Sequence, residues 1–173
     1  GDEEEGKPEA AFVDDLNADS LDLVEILRIL PTQDEFTDSG TAAAADLDTV
    51  VGIHSPGEGA DTLRQQYESL GFRDGAMRRW EGPGGARMTV LTTRWRNRMT
   101  AVNTGAGVAD VVPQRNGARP WTPDELRGSR GARTEEKHPR YWLSYAVENV
   151  SVYVETSGPV NERTVVRTMQ LIS

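Results

Sequence analysis

Every tryptophan in the chain lies within two residues of an arginine: Arg78-Arg79-Trp80, Arg94-Trp95-Arg96, Arg119-Pro120-Trp121 and Arg140-Tyr141-Trp142. A guanidinium offers a planar fork that can grip carboxylate or phosphate through two parallel hydrogen bonds, and an indole face stacks on cations and sugar rings. Arg79, Trp80, Arg94, Trp95, Arg96, Trp121 and Trp142 are therefore the candidate ligand-binding residues. The partner they suit is a small molecule, a cell-envelope component or a protein. The competing reading is that the indoles fill the core while arginine stems cover them, since long basic side chains bury their methylenes and keep the head wet.

For catalysis the inventory is thin. The chain has no cysteine, which removes thiolate metal sites and a cysteine nucleophile. Its two histidines, His54 in a Gly/Pro/Ser-rich stretch and His138 beside Pro139, read as solvated loop residues. Residues 82–85 join two strand-like runs and Gly105 and Gly107 lie inside a helical pattern, so no glycine loop follows a strand to cradle phosphate. Glu135 and Glu136 are adjacent, and neighbouring side chains on an extended chain diverge. Asp15, Asn17 and Asp19 alternate like the opening of a calcium loop, but Ser20 stands at its glycine position and Ile26 at its bidentate acid position. No catalytic residue, metal site or cofactor is assigned.

The net charge of -9 conceals two halves of opposite sign. Residues 1–62 hold 17 acidic residues against Lys7 and Arg28, whereas residues 63–173 hold 11 acids against 17 bases. That asymmetry fits either a basic surface for an anionic partner or an acidic linker preceding an arginine-rich domain. Nucleic acid is not expected, because no helix carries a dense basic stripe. Residues 1–10 have several like charges in a row and nothing to anchor a core, so an acidic, disordered tail is expected there. Such a segment suits a tether between a folded domain and an anchor or leader upstream of residue 1. No stretch approaches the roughly 18 apolar residues of a membrane span, and a soluble chain is expected.

Residues 11–173 read as a single α+β domain. Leu23, Ile26, Leu27 and Leu30 share a helical face, with Asp19, Ser20 or Asp22 as cap and Pro31 as stop. Residues 47–53 fit a strand or a half-helix. Asp61 can cap a helix over 62–70 whose Leu63, Tyr67 and Leu70 align, with Gly71 as a left-handed stop and Phe72 beyond it. Residues 77–81 and 86–96 read as a hairpin, and residues 97–112 as a helix carrying Met99, Val102, Ala106 and Ala109 at helical spacing. Residues 113–140 read as loop, with a capping box from Thr122 to Glu125 opening about one helical turn.

The densest apolar stretch closes the chain. Tyr141, Leu143, Tyr145 and Val147 alternate onto one face with Trp142 opposite, Glu148-Asn149 suits a two-residue turn, and Val150, Val152 and Val154 resume the alternation. Asn161 can cap a final helix in which Val165, Val166, Met169 and Ile172 form a stripe. Residues 141–155 should form a central hairpin neighboured by the hairpin of 77–96 and covered on one face by that helix.

Two resemblances follow. Residues 12–27, FVDDLNADSLDLVEIL, closely resemble the prosthetic-group motif of acyl carrier proteins. On that resemblance Ser20 would carry phosphopantetheine, and Asp19 and Asp22 would be the acidic surface read by partner enzymes. The family has a long helix before this motif, where this chain has fewer than 20 residues, and Pro31 cuts the following helix short. The downstream order of helix, two strands, helix, loop, hairpin and helix is similar to PsbP-like domains and to the extracytoplasmic sensor domains of PknH-type kinases. It resembles small secreted or lipid-anchored actinobacterial domains. That resemblance implies an antiparallel sheet backed by helices, binding something outside the cytoplasm and often near the membrane. A non-enzymatic extracytoplasmic binding domain is the expectation, and a carrier-like module working through Ser20 the alternative.

Overall fold

The computed structural model describes residues 19–55, 57–114 and 116–173, apart from the side chains of residues 111 and 112. In chain order the elements are α1 (Leu23–Arg28), β1 (Ala43–Ala44), α2 (Leu47–His54), α3 (Ala60–Ser69), β2 (Asp74–Gly82), β3 (Ala86–Arg94), α4 (Arg98–Gln114), β4 (Arg119–Trp121), β5 (Arg130–Arg133), β6 (Tyr141–Val147), β7 (Val150–Ser157) and α5 (Glu162–Ile172). The strands form one antiparallel sheet in the order β1-β2-β3-β7-β6-β5-β4.

The expected central hairpin is the sheet's middle. Val147 faces Val150, Leu143 faces Val154, and Val154 in turn faces Val90 of β3. Alternation then sorts the side chains into two layers. Trp80, Met88, Val90, Leu143, Val152 and Val154 pack under α1 and α5, whereas Leu91, Trp95, Trp142 and Tyr153 pack on the opposite face with α2, α3 and α4. Asp22 caps α1 by accepting from Glu25 N–H at 3.2 Å, and Asn161 caps α5 by accepting from Arg163 N–H at 2.9 Å. Both satisfy amides that have no partner in a first helical turn. Gly71 (φ 82°) ends α3 as expected. Its N–H donates to Glu68 C=O and that of Phe72 to Tyr67 C=O, the paired bonds of a left-handed helix stop.

Several details differ from the sequence expectation. The ambiguous stretch 47–53 is helical because Asp46 accepts from Thr49 N–H at 2.9 Å. Asp61 is not the cap of α3: Gly59, at φ 90°, occupies the cap position and Asp61 sits in the first turn. Residues 113–140 contain β4 and β5, too short and too rich in Arg and Gly to show alternation, and β4 tolerates Pro120 because it lies at the sheet edge. The Thr122 to Glu125 box opens a turn closed by Leu126 N–H to Pro123 C=O rather than a helix. In the β6–β7 turn the positive φ falls on Glu148, at 51°, while Asn149 uses its amide to bind Asp19 Oδ1 and Trp95 C=O. The expected acidic tail over residues 1–10, and Asp15 and Asn17, lie outside the described residues. Among the described residues no helix is long and apolar enough to cross a membrane.

Candidate functional site

The second face of the sheet is covered by two separately anchored units. On one side Trp95 is clasped edge-on by Tyr67 of α3 (ring centroids 5.0 Å) and by Phe72 (5.6 Å), and its Nε1–H donates to Thr93 Oγ1 at 2.8 Å. That holds the α2–α3 pair over β2 and β3. On the other side α4 approaches β6 and β7 so closely that a Cβ on Gly105 would stand 2.2 Å from Ser144 Oγ and 2.8 Å from Ser151 Oγ. Drawn to different strands, α3 and α4 do not close on each other.

The gap between them is a groove of about 830 Å³, within the range of small-molecule pockets. From α3 and its C-cap it takes Leu63, Tyr67 and Leu70; from α4 it takes Met99, Thr104, Gly107 and Val108. Leu70 is 39% and Met99 72% exposed, so large apolar side chains stand at its mouth without a covering partner.

His54, the last residue of α2, borders the groove and is only 5% exposed. Its Nδ1 lies 2.7 Å from Tyr67 Oη, and its ring meets the edges of Tyr67 and Tyr153 at centroid distances of 5.7 and 5.3 Å. Burial pushes the imidazole pKa down to about 3, and the Tyr67 phenol up, so the floor is uncharged at neutral pH. With Tyr67 donating to Nδ1, Nε2 carries a proton to donate; in the other tautomer Nε2 accepts. Either way His54 Nε2 is buried without a hydrogen-bond partner, and so is Thr104 Oγ1 across the groove on α4.

The arginine and tryptophan candidates do not converge on one surface. Trp80 is fully buried on the first face beneath the Arg78 guanidinium, 4.5 Å from the ring centroid, and Trp95 and Trp142 are fully buried on the second. Arg140 lies 4.7 Å over Trp142. The buried Arg94 donates to both Asp74 carboxylate oxygens at 2.7 and 3.0 Å and to Leu21 C=O at 2.7 Å. Arg79 is half-buried and donates to Thr89 Oγ1, while Trp121 is half-buried against Tyr141. For Trp80, Trp95 and Trp142 the structure places in the core what the ligand-site expectation needed on a surface. Of these seven residues Arg96, exposed, is the one that lines the groove.

The solvated-loop expectation for His54 is corrected, because α2 carries it under α3, where Tyr67 and Tyr153 enclose it; His138 is exposed as expected. No sequence pattern marks His54, Thr104 and Gly107 as site residues. The available signal was the Leu63, Tyr67, Leu70 alignment, an apolar face that the structure leaves partly open. Ser20 is exposed in the turn before α1, and Leu23, Ile26 and Leu27 of that six-residue helix pack into the sheet core. Among the described residues no group of three or more His, Asp or Glu side chains could hold a metal ion.

No family model matches the chain. Its structure is similar to the extracellular domain of PknH from Mycobacterium tuberculosis, with a TM-score of 0.47 and 11% identity over 78% of this chain and 77% of that one. It is also similar to a putative uncharacterized protein (Rv0999 ortholog) from Mycobacterium smegmatis, with a TM-score of 0.44 and 18% identity over 87% of this chain and 92% of that one.

Proposed function

We propose that this protein is a non-enzymatic binding domain acting outside the cytoplasm, with its ligand held in the groove between α3 and α4. The observation that carries the reading is the pair of buried, unpartnered polar groups, His54 Nε2 and Thr104 Oγ1, beside an open apolar groove. An unmet buried donor or acceptor costs about 1–3 kcal/mol, and folded proteins rarely leave one unpaired without a reason. A ligand that fills the groove supplies both the missing partner and the missing apolar cover for Leu70 and Met99.

Saturable binding of the neutral dye Nile red, followed by fluorescence, tests the site. Because Leu70 and Met99 are exposed, Leu70→Arg/Met99→Arg should leave the unfolding midpoint in place while abolishing dye binding. Unchanged dye affinity in that double variant would remove the groove as the binding site. The location outside the cytoplasm rests on the element order noted in the sequence. Antibody labelling of the native protein on intact cells tests it, and labelling only after lysis would overturn it.

A further inference from the structure

Resting on that reading of the groove, we infer that its ligand is an uncharged, elongated apolar chain that lies along α4, passes Gly107 and hydrogen-bonds through a neutral polar group to His54.

The length comes from the walls. On α3 and its caps the lining positions recur three and four apart from Gly59 to Leu70, and on α4 and the residue before it from Asn97 to Val108. At 1.5 Å rise per residue each stripe runs about 16 Å, or three helical turns. An extended alkyl chain zigzags and advances about 1.25 Å per bond of about 1.5 Å, so a chain of about twelve to fourteen carbons with its polar head spans that distance. A long slot between two helices admits such a chain in a way that a round pocket of equal volume does not.

The width comes from Gly107. Glycine inside a helix is unfavourable, and at Gly105 the close approach to Ser144 and Ser151 explains it. Gly107, two residues on, has no such neighbour: a Cβ built there meets nothing within 4 Å, and the position lines the groove. Its missing side chain leaves part of the slot empty.

The charge comes from the floor. His54 is enclosed by Tyr67 and Tyr153 and presents a neutral imidazole, and Thr104 adds a hydroxyl. The charged lining residues are Glu58 and Arg96, both exposed and opposite in sign. A carboxylate or ammonium seated against His54 would be desolvated with no counter-charge, which a hydroxyl or amide avoids.

Dodecan-1-ol, dodecanoate and dodecylammonium, matched in chain length, separate these claims when each displaces Nile red from the purified protein at pH 7.5. The alcohol should bind about tenfold or more tightly than either ion. Gly107→Leu should weaken the alcohol by a similar factor without lowering the unfolding midpoint, and Gly107→Ala should weaken it less, in the same direction. If dodecanoate or dodecylammonium matches the alcohol, the uncharged class is wrong although the groove remains a site. An unchanged affinity for the alcohol in Gly107→Leu, or failure of all three chains to displace a dye that still binds the groove, refutes the elongated path. Insensitivity of the dye itself to Leu70→Arg/Met99→Arg is the separate result that ends the parent reading.

Discussion

Gly105 and Gly107 occupy the same helix, two residues apart, and the structure assigns them opposite responses to alanine. In a helix interior alanine is favoured over glycine by about 1 kcal/mol. At Gly107 the new methyl meets nothing within 4 Å, so Gly107→Ala should realise most of that gain. At Gly105 the same methyl would stand 2.2 Å from Ser144 Oγ and 2.8 Å from Ser151 Oγ, and both serines are themselves buried. Overpacking of this kind costs about 1–3 kcal/mol, which exceeds the propensity gain and leaves a net loss of about 1 kcal/mol for Gly105→Ala. Urea unfolding followed by circular dichroism, with slopes of about 1–3 kcal/mol/M, should show midpoints displaced by about half a molar in opposite senses. Adding Ser144→Ala and Ser151→Ala to Gly105→Ala should restore part of the loss. Equal shifts of the same sign at the two glycines, or no relief from the serine changes, would refute the claim that α4 is seated on β6 and β7 at Gly105 and free at Gly107.

His54 sets a pH dependence of stability. Its folded pKa, about 3, lies below the ordinary 6.5, so between these values the unfolded chain holds a proton that the folded one does not. Its contribution is complete above about pH 6.5 and declines as pH falls, by about 1.4 kcal/mol per unit. By pH 4.5 the loss is on the order of 2–3 kcal/mol. Glu155, whose carboxyl is held above its usual range by burial beside Tyr153, contributes in the opposite sense, gaining a proton first in the folded state. Comparison of wild type with His54→Gln isolates the histidine; the same slope in both would contradict its burial as a neutral ring. Arg78 supplies a third expectation. Its guanidinium donates to the carbonyls of Leu27, Arg28, Leu30, Ser39 and Gly40 at 2.8–3.2 Å, tying the C-terminal end of α1 and the loop beyond it to β2. Arg78→Met should destabilise by about 2–4 kcal/mol, and Arg78→Lys should recover less than half, because one ammonium cannot serve both sets of carbonyls. A lysine variant as stable as wild type would rule out that role.

Elements whose cause is local were readable in order. The alternation of Tyr141, Leu143, Tyr145 and Val147 defines β6, and its Trp142 points the other way as the pattern requires. Asn161 and the Val165 to Ile172 stripe define α5, and Gly71 with Phe72 ends α3. Each is written within a few residues, by a period or a cap, and needs no distant partner. What depends on contacts between distant segments was not readable. The arginine and tryptophan pairs carry no mark that separates a stacked ligand site from a packed core, because both use the same atoms; only the pairing of β2, β3 and β7 sends Trp80 to one face and Trp95 to the other. The sequence announces an apolar face on α3 but not what covers it. Whether that face closes is decided where Tyr67 grips Trp95 and where Gly105 meets Ser144 and Ser151, anchors on different strands whose spacing no local pattern encodes. The groove exists because those two anchors hold α3 and α4 to different parts of the sheet, and His54 is buried at its floor because α2 carries it under α3 against Tyr67 and Tyr153.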